Sequence, residues 1–213
     1  NVKIKTEKAL VKDNPFFVEG NVKINDKLDI KIISNDVQAQ TLIETVNKSK
    51  LLKDVKKGLS LINSVNGKTE LFINILANIV PVHFGQPPLP IEEAFKDMKI
   101  KGNLVFFNND CNLEGFQIPL TNIEGKIDFT ETTVDFNDLH AMLIDSPVKL
   151  NGKIITNQKT KIPDIDINVT GDEIKSGNTI KFLTESYLYP KDYPDISYFY
   201  NLETKHDLYL KYK

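Results

Sequence analysis

The residues of this chain that could do chemistry are few and far apart. His83, His140 and His206 have no partner at ligand spacing. Cys111 is the single cysteine, so these residue types cannot assemble a thiolate metal cluster or an internal disulfide. With Asp110 and Asn112 as neighbours and no base in sight, Cys111 reads as an incidental small residue. Asp164-x-Asp166 would set two carboxylates on one side of a strand, as a calcium ligand pair or an acid/base pair requires. The interleaved Ile165, Ile167 and Val169 claim the buried side, so both acids are expected to face water. The phosphate loop G-x-x-x-x-G-K-[ST], the nucleophile elbow G-x-S-x-G and the metal helix H-E-x-x-H do not occur. Tyr187, Tyr189, Tyr193, Tyr198 and Tyr200 could form a stacking platform, but Pro190 and Pro194 break them up into a packed, partly exposed connector. Asn47-Lys48-Ser49 and Asn168-Val169-Thr170 match the glycosylation sequon, a triplet common by chance. No catalytic residue, metal or cofactor is assigned, and the chain is expected not to be an enzyme.

Composition narrows the partners. The chain has 213 residues, 40% of them hydrophobic, enough for a folded body with a sizeable core. Its 27 basic residues are all lysine and are balanced by 29 acids for a net charge of -2. Neither a global positive field nor the bidentate arginine reader of base edges is present, and no nucleic acid is expected as a partner. The most apolar run, Leu71 to Val82, is broken by Asn74, Asn78 and Pro81 and falls short of the ~20 residues that span a bilayer. The chain opens on Asn1 without a charged-then-apolar leader, so it reads as a piece of a longer protein whose signal or anchor is absent or trimmed.

The strongest signal is a repeat centred on glycine. Five segments align: Val18-x-Gly20-x-Val22-x-Ile24, Val65-x-Gly67-x-Thr69-x-Leu71, Ile100-x-Gly102-x-Leu104-x-Phe106, Ile123-x-Gly125-x-Ile127-x-Phe129 and Leu150-x-Gly152-x-Ile154. A sixth, Ile165-x-Ile167-x-Val169-x-Gly171, carries its glycine at the end. Each alternates with period two, apolar on one side and polar on the other, the pattern of a strand with one wet face. Glycine inside a strand weakens it and marks a bend or a close approach. Short turns are expected at Asn108-Asn109-Asp110, Thr130-Glu131-Thr132 and Asp145-Ser146-Pro147, which makes the assembly an antiparallel meander. Between Phe136 and Leu139 the apolar parity shifts, so a bulge is expected at Asn137-Asp138.

Helical patterns are scarcer. They cover residues 41–62 with a break near Asn47 to Ser49, residues 91–98 behind Pro90, and Thr179 to Tyr187; Leu208, Leu210 and Tyr212 then begin another strand. The fold class is therefore mainly β (α+β), a curved antiparallel sheet of repeated hairpins forming a groove with a few covering helices. Alternation places Val22, Ile24, Leu71, Ile73, Ile75, Leu104, Phe106, Ile127, Phe129, Leu150 and Ile154 on the concave apolar side. Exposing a dozen such side chains to water would cost about 1.5–3 kcal/mol each, so something must cover them.

Residues 100–154 resemble the AsmA-like family, which includes TamB- and YhdP-type bacterial envelope proteins. The resemblance rests on "PLTNIEGKIDF", on a strand ending in "DLHAML" and on "SPVKLNGKI". "VEGNVKIN" and "NDVQAQTLIETV" resemble upstream units of such proteins. It implies a hydrophobic β-groove that holds phospholipid or another acyl-chain ligand, built in series with flanking repeats of the same protein. It also implies a periplasmic location and an inner-membrane anchor through a segment not in this chain. Residues 1–213 would be one such segment, with an upstream unit at 1–85, a core repeat unit at 86–178, and a helical connector and next strand at 179–213. A second reading stays open: a structural or protein-interaction β-domain with a closed core and no ligand. Exposure of the apolar positions separates the two.

Overall fold

The computed structural model describes residues 2–6, 8–23, 26–48, 62–81, 85, 87, 89–115, 117–156, 163–186 and 191–212. Twelve strands make one antiparallel sheet: β1 (Val2–Lys5), β2 (Ala9–Val11), β3 (Asn14–Lys23), β4 (Lys27–Gln38), β5 (Ile62–Asn66), β6 (Lys68–Ile79), β7 (Phe95–Leu113), β8 (Leu120–Thr130), β9 (Thr133–Leu143), β10 (Ser146–Thr156), β11 (Pro163–Lys175) and β12 (Lys205–Tyr212). The pairing order is β1-β3-β4-β6-β7-β8-β9-β10-β11-β12, with β2 on β3 and β5 on β7. Successive hairpins simply pair with their neighbours, as the alternation and short turns require. The sheet is open and curls into a trough.

Among the described residues three α-helices accompany it, α1 (Ala39–Lys48), α2 (Ile91–Ala94) and α3 (Ser176–Thr184), with a 3-10 turn at Ser197–Phe199. α1 begins the pattern expected over 41–62, whose remainder at 49–61 lies outside the described residues. The helix expected over 91–98 is a single turn, because Phe95 is already extended and opens β7. The turn expected at Asn108-Asn109-Asp110 is a bulge inside an unbroken β7. The reversal expected at Asp145-Ser146-Pro147 falls one residue earlier, at Ile144 and Asp145, with Ser146 and Pro147 already in β10. The bulge expected at Asn137-Asp138 is present: Asp138 has φ 54° and the β9–β10 register slips between Leu150 and Gly152.

That bulge is one of a series. Register slips also occur in β4 between Ser34 and Val37, in β7 at Asn108 (φ 58°), in β8 at Asn122 (φ 51°) and in β11 at Glu173 (φ 53°). Together they cross the sheet obliquely. Most of the residues taking positive φ are Asn or Asp, which tolerate the left-handed region best. Each bulge bends its strand and keeps the apolar residues on one face despite the extra residue. β5 and β6 are a single line bent at this level, both pairing with β7, with the corner at Gly67 (φ 102°).

Buried polar groups fix the corner. Asn109, fully buried, donates from Nδ2 to the Asn66 carbonyl at 3.1 Å and accepts from the Phe107 amide at 2.9 Å. Asn14, also buried, donates to the Lys12 carbonyl at 2.8 Å and accepts from the Gln38 amide at 2.7 Å, tying β3 to the start of α1. The Gln40 side chain accepts from the Val65 amide at 3.0 Å, and the Ala39 amide donates to the Gly67 carbonyl at 3.1 Å. Replacing Asn109 by Ala empties a fully buried site and takes the side-chain partner from the Asn66 carbonyl and the Phe107 amide, whose hydrogen bonds are part-buried, at about 1–3 kcal/mol in all. Asn109→Ala is therefore expected to lower unfolding stability by about 1–3 kcal/mol, measured by urea titration against Asn21→Ala at an exposed position of β3.

Candidate functional site

The register lines up the inner face in rows. One row runs Val18, Ile32, Ile73, Gly102, Phe129, Val134, Ile154 across β3, β4, β6, β7, β8, β9 and β10. The next toward the bulges runs Ser34, Leu71, Leu104, Ile127, Phe136, Gly152. On the other side lie Gly20, Ile30, Ile75, Ile100, and then Val22, Leu28, Ala77. All the described residues that the alternation placed on the concave side fall on this face. Val18 of the first glycine segment belongs to it too, as do Leu28, Ile30, Ile32, Val134 and Phe136, although no glycine marks the segments of these last five; "KLDIKIIS" alternates as cleanly as the repeats do.

Burial divides the face in two. Beyond the bulges it is sealed: Val65, Cys111, Ile123, Leu139, Ala141, Leu143, Val148 and Ile174 are buried together with Ala39 and Ile43 of α1, and Phe182 of α3 packs against them. α3 is held there by Asn178, whose amide donates to the Asp145 carboxylate and, at 2.8 Å, to Ser146 Oγ. Lys175 also reaches Asp145 at 2.8 Å, and these hydrogen bonds keep that carboxyl below the usual carboxylate range. On the near side Leu71, Ala77 and Ile100 are buried, but Val22, Ile73, Ile75, Leu104, Phe106, Ile127, Phe129, Leu150 and Ile154 are only half-buried. Ile24 lies outside the described residues. Phe106, Ile127 and Leu150 border the sealed core and pack against it. The described helices leave the remainder uncovered: α1 touches β4 and β5, α2 touches β7, and α3 touches β11.

The glycines let large side chains lie flat across this surface. A Cβ on Gly102 would come within 2.6 Å of the Phe129 ring and closer still to the Phe72 carbonyl. One on Gly152 would stand 3.0 Å from the ring of Phe136, its partner in register. The repeat therefore encodes close approach: each missing side chain is the seat of a neighbour's ring or chain.

The other chemistry-bearing residues do not converge. Asp164 is exposed and Asp166 half-buried on the outer face; His140 sits near Asp138 at 3.4 Å, while His206 contacts Ser176 Oγ at 3.0 Å and Thr179 Oγ1 at 3.3 Å. His83, Tyr187 and Tyr189 lie outside the described residues. A depression of about 230 Å³ lies among Phe72, Lys101, Gly102, Asn103, Asp128, Phe129, Thr130 and Asp135. Ion pairs stand at its polar side, Lys126 on Asp128 at 2.7 Å and Lys153 on Asp135 at 3.1 Å. Comparison with protein-family models, with curated proteins and with solved structures finds no match to this chain.

Two outcomes are expected here. Gly102→Ala and Gly152→Ala drive a Cβ against the backbone carbonyls of Phe72 and Asp166 and against the rings of Phe129 and Phe136, and should each destabilise the fold by about 1–3 kcal/mol, read as a fall in Tm. Burial pushes the Cys111 thiol from 9.0 up to about 11. Between those values the unfolded chain has released the proton and the folded one retains it, so stability falls as pH rises through this window. The loss should reach about 2 kcal/mol by the top of the window, and Cys111→Ala should remove that part of the pH dependence.

Proposed function

We propose that the near half of the trough holds acyl chains, and that the chain is a non-enzymatic lipid-binding or lipid-transfer segment of an envelope-biogenesis protein. The observation behind this is the divided inner face. One apolar surface, continuous across the sheet, is sealed beneath two helices on one side of the bulges and left half-exposed on the other. Each half-exposed aliphatic or aromatic side chain forgoes about 1 kcal/mol of burial, and a row of them in a concave surface suits flexible hydrocarbon better than a rigid polar ligand. The likeness of residues 100–154 to AsmA-like proteins favours the same reading. On it, the ligand is a phospholipid or another acyl-chain molecule, the protein works in the periplasm beside flanking repeats, and any inner-membrane anchor lies outside this chain. Among the described residues no helix is long and apolar enough to cross a membrane.

Native mass spectrometry of gently purified protein tests this. Phospholipid should co-purify, and a single Ile73→Asp or Ile154→Asp substitution should abolish the adduct while leaving a folded protein, because a carboxylate at a half-exposed site keeps water contact. The matching substitution at Leu143, in the sealed core, should unfold it. A clean apo mass with no displacement of a fluorescent fatty acid would overturn the proposal.

A further inference from the structure

The outer face of the sheet carries its own charge pattern. Across β1, β3, β4, β6 and β7, the register aligns polar residues in three rows at the end of the sheet away from the line of bulges described above, with one further slip at Asp97 (φ 50°) between the first two rows. The first holds Lys23, Lys27, Asn78 and Lys96; the second Lys3, Asn21, Asp29, Leu76 and Lys99; the third Lys5, Glu19, Lys31, Asn74 and Lys101. All eight lysines are exposed. Sheet geometry spaces them about 5 Å apart across strands and about 7 Å along them. Glu19 and Asp29 lie within the rows, and Asp26 and Asp97 at their margin. The Glu131 carboxylate also stands at the margin, accepting from the Ile100 amide at 3.2 Å between Lys99 and Lys101. Eight lysines therefore face five carboxylates, an excess of three positive charges on a chain whose net charge is -2.

Ion pairs engage Lys23 with Asp26 and Lys31 with Glu19, at 3.9 Å in the second case. Among the described residues no ion pair engages the other six lysines of the field. Farther along the same face, Asp128, Asp135 and Asp164 alternate with Lys126 and Lys153, and no such excess arises. Leu76, 40% exposed, stands in the middle of the basic rows, and Phe17, 42% exposed, stands just beyond them.

We propose that this lysine field docks the sheet on an anionic lipid bilayer. Four to eight clustered lysines are the usual footprint for anionic lipid, and each one near such a surface strengthens binding about fivefold. The opposite sign of the rest of the chain would orient the molecule as it approaches. Two exposed apolar side chains among and beside the lysines suit an interface that is charged outside and oily beneath. The field holds no arginine to read bases, and no row of exposed aromatics on which bases could stack. The inference stands independently of what the trough carries, since it concerns the opposite face.

Flotation of the full chain with vesicles tests it. Protein should float with vesicles of phosphatidylcholine containing phosphatidylglycerol, not with phosphatidylcholine alone. It should be released as added salt shortens the screening length from about 10 Å at 0.1 M to about 3 Å at 1 M. Replacing Lys99 and Lys101 by Gln should lower partitioning about 25-fold, whereas Lys126→Gln with Lys153→Gln on the balanced part of the face should leave it unchanged. Equal binding to neutral vesicles, equal loss in both double variants, or tighter lysine-dependent binding to duplex DNA than to vesicles would each overturn the proposal. Loss of co-purified lipid without loss of flotation would count against the trough alone.

Discussion

Among the described residues the sheet has more inner surface than the helices roof, and most features of the molecule follow from that shortfall. Hydrophobic stabilisation scales with the apolar area removed from water. α1 and α3 remove it on one side of the bulges, where the buried set from Val65 to Ile174 forms the principal core. Across the bulges the same face goes on through Leu104, Ile127, Phe129 and Ile154 with the alternation intact and the roof missing. Stability therefore resides mainly in the sealed half. Curvature and row-by-row side-chain contact do what they can for the other half, and a hydrocarbon ligand would complete it.

Two devices produce the curvature. Bulges at Asn108, Asn122, Asp138 and Glu173 insert extra residues at backbone angles that Asn and Asp accept, so the strands bend without turning their apolar residues outward. Glycines at 102 and 152 then let strands and rings approach more closely than any side chain would permit. The buried amides of Asn109 and Asn14 hold the corner where β5, β6 and the start of α1 meet, and their hydrogen bonds offset the cost of placing polar groups there. The two faces of the sheet are thereby separated in role, one apolar and concave, the other polar and, toward β1, strongly basic.

Much of this was legible in the sequence, because period-two alternation is set by backbone geometry alone. The strands, the inner-face residues and the bulge at Asp138 follow from parity. What parity does not carry is length and long-range contact. Asn108-Asn109-Asp110 has the composition of a turn, yet tertiary pairing with both β5 and β8 keeps β7 extended through it, and the side chain that looked like a turn former is a buried brace. Residues after Pro90 carry helix-start signals, but pairing of Phe95 and Lys96 with Ile79 and Asn78 wins after one turn. The division of the inner face into sealed and open halves was not legible, since Leu143 and Ile154 look alike until α1 and α3 are placed. The lysine field was equally hidden: its lysines come from four strands scattered over the first half of the chain.

The account turns on whether the uncovered side of the trough is occupied by hydrocarbon. The most direct measurement is photo-crosslinking with a phospholipid that bears a diazirine in its acyl chain, followed by mapping of the modified peptides. The account places the adducts on the inner face of β4, β6, β8 and β10, around Ile32, Ile73, Phe129 and Ile154, and leaves Leu143 and Val148 unlabelled. Adducts confined to the outer face, or labelling no greater than that of the unfolded chain, would contradict it.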